Sequence, residues 1–549
     1  MEEQQGPFDR ILESEPPEQR DRVAVAIVGA AILLGLILLA LVLPPISILD
    51  DGGDASTTGG GRIATTKLDE LPAPPAGYAA VSGFLDLSEG QPSESITVSL
   101  STTVGDGDPL VFFTYADGKW RQVGNGVAVA GGTAASADLK SLPDNVAVFS
   151  AREQARAVLG SLPLGAQLDE RATNVLTTLN PAGLVPAADG SVAGTVPQNA
   201  ANGSTPIVPS VRAVQANDAD AVNRILGSEA LRTAHVEALL LVARNGNFAG
   251  LDIDYRAIDP SLADAFVVFV RALSAGLRSE QRTLTLTLPL PVRDGASWNT
   301  HGYDWEVLAP LTDTFKLAPE ANPEQYFART QDAIEYLVPR VGSEKLVLGV
   351  GPRSHERSVD GLRALTLSEA LALASTPTLE GSGPVAPAAS VGVVGQNLAA
   401  EMGGSGLHWD DAARALAFTY TGAGGNRTVW IANRFSEAFK LDLAARYQLG
   451  GVYVDNVSRG AGDANIWPVV RNYAQTGAVA LVKPNGQLLQ PHWTASAGTF
   501  DSETGASVTW HAPNAAGAQT LTLVVSDGVV RMGQELQVTV EAPAGAVAR

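Results

Sequence analysis

A (β/α)8 barrel flanked by two small β-sandwiches, with an N-terminal transmembrane helix, is the architecture predicted for this chain of 549 residues. Three observations predict it. Between about residues 160 and 475, short apolar strands alternate with amphipathic helical stretches, the pattern of a parallel α/β fold. On either side of that region, runs with an apolar residue at every second position are separated by turn signals, as in antiparallel sandwiches. Residues 23–43 carry no charge and are long enough to cross a bilayer as a helix.

Composition narrows the function classes. With 45% hydrophobic and 17% charged residues the chain has material for two to four domains and a large core. A formal net charge of -21 has the wrong sign for docking on nucleic acid or on an anionic membrane surface. The absence of cysteine excludes disulfides, thiol catalysis and zinc-thiolate sites.

Taken in order, residues 1–22 form a leader in which Arg20 and Arg22 precede the apolar run, whereas Asp50, Asp51 and Asp54 follow it. That asymmetry predicts a cytoplasmic N-terminus, a single pass at 23–43 and the bulk of the chain outside the cell membrane. A cleaved signal peptide would have a shorter apolar core and a more basic leader; this leader is rich in Glu. Residues 44–78 read as a linker rich in Gly, Asp, Thr and Pro. Residues 79–150 hold the first sandwich, with alternating runs at 96–100, 110–115 and 146–149, and Trp120 is expected in its core rather than as a sugar platform.

The barrel spans 160–475. Its strands are expected near Leu162 and at 175–179, 207–211, 250–255, 283–288, 314–317, 346–350 and 451–454, which makes eight. Val236, Leu239, Leu240 and Ala243 lie at helical spacing ahead of a Gly246 stop; Asp259-Pro260 reads as a helix cap, with Leu262, Phe266, Phe269, Val270 and Leu273 as the buried stripe. An insert at about 352–449 contains a helix near 368–373 and a hairpin from Leu407 to Ile431. Residues 479–543 return to alternation, at Val508-Thr-Trp510 and 521–525 among others, and resemble a bacterial immunoglobulin-like module.

The stretch that carries chemistry is Phe248-Ala-Gly-Leu-Asp-Ile-Asp-Tyr-Arg256. Leu251, Ile253 and Tyr255 alternate with Asp252, Asp254 and Arg256, so one face of a buried strand is apolar and the other is charged. Charges there need partners or a water-filled cavity, because desolvating an unpaired carboxylate costs several kcal/mol or more. The stretch resembles the signature strand of glycoside hydrolase family 18, the chitinase-like family, Asp-Gly-x-Asp-x-Asp-x-Glu. In that alignment Ala249 takes the place of the first Asp, Asp252 and Asp254 those of the second and third, and Arg256 that of the Glu. The order and spacing of the hairpin, Ser436-Glu-Ala-Phe-Lys440, Gly450-Gly-Val-Tyr-Val454 and Asn465-Ile-Trp-Pro468 are also similar to the family's tail, so the resemblance extends from about Leu162 to Ala474.

The resemblance implies a TIM barrel acting on β-1,4-linked N-acetylhexosamine polymers, with a Glu as proton donor. Arg256 stands at that Glu position and cannot give up a proton near neutral pH. Glu320 falls near the family's Tyr, and Asp455 takes the place of the Trp that floors the sugar subsite. No catalytic set is therefore expected intact. Asp254, Arg256, Glu320 and Asp455, with Asp252 behind them, remain as ligand-binding candidates, and no cofactor or metal is expected. The reading is a membrane-anchored family 18-like pseudoenzyme binding cell-surface or extracellular glycan, chitin- or peptidoglycan-like, or an envelope protein. An active glycosidase and a purely structural envelope protein are the alternatives. Arg256 either closes on a neighbouring carboxylate as an ion-pair plug or serves as a donor fork in an open cleft, and a relocated pair such as Asp254 and Glu320 is the route to retained activity.

Overall fold

The computed structural model describes residues 56–57 and 66–541, apart from 69–70, 76–77, 88–94, 106–109, 140–142, 152–155, 197–203, 215, 382, 400–404, 423, 478, 485–488 and 529. The expected leader, the transmembrane helix expected at 23–43 and most of the expected linker lie outside the described residues.

The first β region forms one eight-stranded sheet whose described pairings are all antiparallel. Alternation along Leu110–Ala116 sends Leu110 and Phe112 into one apolar cluster and Val111 and Phe113 into another, so both faces of the strand are covered. Trp120 packs against the second cluster, edge-on to Phe149 at 4.8 Å, and its indole N–H donates to the Ala73 carbonyl. Tyr78 anchors this sheet to the next region through a hydrogen bond of 2.8 Å with Ser343 Oγ.

Eight parallel strands follow: β1 (Ala157–Leu162), β2 (Thr178–Pro181), β3 (Ser210–Ala213), β4 (Gly250–Tyr255), β5 (Thr283–Leu288), β6 (Thr314–Leu317), β7 (Leu346–Val350) and β8 (Gly451–Val454). They curl into a barrel-like sheet in which β8 pairs β1 and β1 pairs β2. The seam lies between β2 and β3. There the continuous ladder predicted for a closed barrel is reduced to one parallel bridge, Leu179 with Ile207, and Leu184, beyond the bend at Ala182 and Gly183, pairs Val211. Pro206 and Pro209 flank the bridge and bring no N–H to it, which explains why β3 starts at Ser210 rather than at the expected 207. β2 is also shifted from the expected 175–179, because Asp169 caps a 3-10 turn at Glu170–Ala172 and turns the chain before the strand begins.

Helices cover the sheet as the spacing predicts. Glu229–Asn245 ends at Gly246, and Asp259 accepts from Ser261 N ahead of the helix Ala263–Ser279, whose Phe266, Phe269, Val270 and Leu273 are buried. The insert folds into a five-stranded antiparallel sheet that includes Ser354–Ser358, Ala415–Gly422 and Gly425–Ile431, followed in part by a helix, Leu367–Ala374, with a Thr366/Glu369 capping box. The stretch expected as a self-contained module at 479–543 does not keep to those bounds. Its strand Ser507–His511 pairs with Ser390–Gly395 of the insert, which pairs with Pro377–Leu379, while His492–Ala495, Gly517–Ser526 and Arg531–Val540 form a second sheet. The insert's own apolar edge, Val391 to Val394, is what recruits the terminal strand; Trp493 and Trp510 join the same apolar core as the barrel.

Candidate functional site

The charged face of β4 points into the barrel, and its residues meet three different environments. Asp252 is fully buried. Its Oδ2 accepts from Lys316 Nζ at 2.8 Å and from Ser210 Oγ at 2.5 Å, and its Oδ1 accepts from Thr287 Oγ1 at 2.8 Å. Register explains the set: Ser210 stands beside Asp252 across β3/β4, and Thr287 beside Lys316 across β5/β6. Lys316 Nζ also lies 4.7 Å from the centroid of the Tyr453 ring. Asp252 is therefore a framework carboxylate with every strong acceptor site in use, not a ligand group at the mouth.

One turn of the pleat higher, Asp254 receives two arginines. Arg256 closes on it through two bonds, Nε to Oδ1 at 2.5 Å and Nη2 to Oδ2 at 3.0 Å, and Arg212, its register partner on β3, adds Nε to Oδ2 at 3.1 Å. Asp254 is 5% exposed in its side chain, whereas Arg256 and Arg212 keep 31% and 41%, so the carboxylate is sealed under two guanidinium groups that still reach solvent. Burial alone would lower the Arg256 pKa; the Asp254 charge more than offsets it, and the net direction is upward. Arg256 is therefore a permanent cation at the end of the strand.

Glu320 is not part of this cluster. It sits in the loop after β6, where its Oε1 accepts from Asn322 N at 2.9 Å and its Oε2 pairs with Arg329 Nη1 at 2.8 Å, so it braces the start of the helix Pro323–Val341. The pair of Asp254 and Glu320 considered as acid and base is thus not assembled. Asp455, directly after β8, is at the mouth as expected, packed against Gly351 beyond β7, where a Cβ would come within 2.7 Å of its Oδ1. Its carboxylate keeps open surface and has no hydrogen-bond or ion-pair partner among the described residues. Desolvation by the surrounding protein pushes its pKa up, against the pull of Lys440, Arg353, Arg256 and Arg212.

Several residues here escaped sequence reasoning. Lys316 and Arg212 were legible in principle, because each is the single charge in a short strand and shares the inward parity of Asp252 and Asp254. Glu437 had no such signal. It lies on the helix Arg434–Arg446, fully buried, with Oε1 on Lys440 Nζ at 2.7 Å and Oε2 without a hydrogen-bond partner; burial pushes its pKa up, Lys440 opposes this, and Asp455 adds to it. The Tyr453 hydroxyl is also buried and unpartnered. Among the described residues no group of three or more His, Asp or Glu side chains is placed to hold a metal.

What this arrangement can do is hold anions and polar groups at a guanidinium-lined mouth. One of the two carboxylates on this face is held by a lysine and the other by two arginines.

No family model matches the sequence, and no curated protein matches it. Structures similar to this chain include a chitinase from Chromobacterium violaceum, 19% identical, covering 59% of this chain and 99% of that one with a TM-score of 0.46. They also include the Bacillus megaterium spore cortex-lytic enzyme SleL, 15% identical over 63% of this chain and 79% of that one with a TM-score of 0.47. A class V chitinase from Pseudomonas fluorescens is 18% identical over 58% of this chain and 99% of that one, with a TM-score of 0.44.

Proposed function

We propose that this chain is a membrane-anchored, extracytoplasmic protein on a glycoside hydrolase family 18-like TIM barrel that binds cell-surface or extracellular glycan, or an envelope partner, without hydrolysing it. The observation that carries the reading is the two-point contact of Arg256 on Asp254, reinforced by Arg212. In the family pattern the carboxylate at the position of Asp254 must be free to hold the substrate's N-acetyl group, and the residue at the position of Arg256 must supply the proton. A sealed ion pair does neither. Loss of contacts made in the transition state typically costs a few kcal/mol each, and here two are replaced at once. The purified full chain is expected to bind chitooligosaccharide or peptidoglycan fragments and to leave a chromogenic chitooligosaccharide intact. Turnover that is abolished by Asp254→Asn would sink the proposal.

One observation favours a second reading, a relocated active site: Asp455 is a solvent-reaching carboxyl at the mouth with no hydrogen-bond or ion-pair partner among the described residues. Turnover that survives Asp254→Asn and vanishes in Asp455→Asn would establish it.

A further inference from the structure

Every residue from Leu71 to Pro75, in the run Leu-Pro-Ala-Pro-Pro, is a proline or stands directly before one. Proline fixes its own φ, and the residue ahead of a proline is pushed out of the α region into extended backbone. This part of the stretch expected as a flexible linker is therefore a stiff polyproline II rod, with about three residues per turn and no internal hydrogen bonds, which places Pro72 and Pro75 on one edge. The exposure pattern has that period: Pro72 and Pro75 are half-buried, whereas Ala73 and Pro74 between them are exposed.

The rod is strapped onto the first sheet. Leu71 packs against the apolar cluster that holds Phe113 and Phe149, the Trp120 indole N–H donates to the Ala73 carbonyl at 2.9 Å, and the Tyr78 N–H donates to the Pro75 carbonyl at 3.1 Å. Ahead of the rod, Thr66 N donates to the Phe84 carbonyl at 2.8 Å and accepts from Phe84 N at its Oγ1 at 3.2 Å. Trp120 is one of three half-buried rings: it stacks on Phe84 at 5.5 Å and meets its register partner Tyr115 edge-on at 5.0 Å. A polyproline rod loses little conformational entropy on docking and leaves its carbonyls free, so an aromatic surface with an indole N–H aimed at one of them is suited to grip it.

We infer that Phe84, Tyr115 and Trp120 form a docking site for a polyproline-type segment, and that the chain's own strap, Leu71–Pro75, is its resident ligand. The inference stands apart from the glycan-binding reading of the barrel. The strap is joined through residues 76 and 77 to the strand Tyr78–Ala80 of the same sheet, so it is presented to the site at an effective concentration on the order of millimolar. The same segment offered as a free peptide gains the site only when the strap is weakened.

The test is calorimetric titration of the full chain, and of its double variant Pro72→Ser with Pro75→Ser, with a synthetic peptide of residues 66–76 and with the same peptide carrying both serines. The proline peptide is expected to bind the double variant at least ten-fold more tightly than it binds the parent, and at least ten-fold more tightly than the serine peptide does. Failure of the proline peptide to bind the double variant, equal binding of the serine peptide, or an affinity for the parent as high as for the double variant overturns the inference. A second variant, Trp120→Phe, keeps a ring in place and removes only the indole donor. Trypsin cleavage after Lys67 is expected to be at least about three-fold faster in it, the worth of one hydrogen bond, with cleavage elsewhere in the chain unchanged. Cleavage after Lys67 at the parent rate, or faster cleavage throughout the chain, overturns the inference as well.

Discussion

Replacing Lys316 by Met tests whether Asp252 is held as a framework ion pair. Lys316 and Asp252 are 2% and 0% exposed in their side chains and 2.8 Å apart, so the substitution strands a carboxylate where water does not reach. Breaking a buried pair by removing one partner costs about 3–5 kcal/mol. Ser210 and Thr287 continue to donate to Asp252, which argues for the lower end of that range, about 3 kcal/mol. The double variant Lys316→Met with Asp252→Asn removes the stranded charge, keeps the two hydroxyl donors and is expected to recover at least half of the loss. Urea unfolding followed by tryptophan fluorescence reads both, the quantity being the midpoint at unchanged slope. A loss under about 1 kcal/mol, or a double variant no more stable than the single one, would refute the reasoning by showing that the pair is dispensable.

Two further perturbations follow from the same packing. His355 has a folded pKa lowered from 6.5 to about 4, so its contribution to stability is present in full above pH 6.5 and is lost as the pH falls toward 4; the interval corresponds to about 3 kcal/mol at most, and His355→Gln should flatten the melting temperature across it. Gly250 opens β4 where an added Cβ would lie 2.2 Å from the Thr283 carbonyl oxygen, so Gly250→Ala must part β4 from β5, with an expected loss of about 2–3 kcal/mol in the same urea assay and no loss if the strand ends are loose.

The barrel strands were legible because their apolar runs are short, bounded and interleaved with helical spacing. β4 through β8 fall where the pattern puts them, and the misplaced pair, β2 and β3, is where Asp169 and the two prolines override it. Within the site, alternation along one strand exposed Asp252, Asp254 and Arg256 as a charged face, yet it could not say which neighbouring strand answers each charge. That depends on register, which sets Arg212 beside Asp254 and Ser210 beside Asp252. Glu320 was misread for the complementary reason. Its distance from β6 along the chain is that of a mouth residue, but a carboxylate two residues before the helix cap Asn322 is taken up by that residue's backbone N–H and by Arg329 on the helix. The sharing of strands between the insert and the C-terminal stretch was invisible because Ser390–Gly395 and Ser507–His511 each read as an ordinary alternating run, and nothing local specifies the partner of an edge more than a hundred residues away.

The two carboxylates of β4 illustrate how a single side-chain period can produce opposite outcomes. Asp252 and Asp254 lie on one face, two residues apart; Asp252 is bound by Lys316 on β6, and Asp254 by Arg212 on β3 and by Arg256 just past its own strand, so the difference is depth. At the level of Asp252 the cation bonded to it is Lys316, itself almost fully buried, so the pair is a closed unit that holds strands together. At the level of Asp254 the guanidinium groups keep surface, and beyond them the Asp455 and Arg353 side chains have no hydrogen-bond or ion-pair partner among the described residues. Charge satisfaction thus decreases from the barrel interior outward. Buried charges must be paired for the fold to stand, whereas a half-buried charge can remain unpaired because water screens it. The unpaired set is consequently found at the solvent-facing mouth, and this gradient, set by depth along one strand, separates the charges that hold the fold together from those left to the solvent.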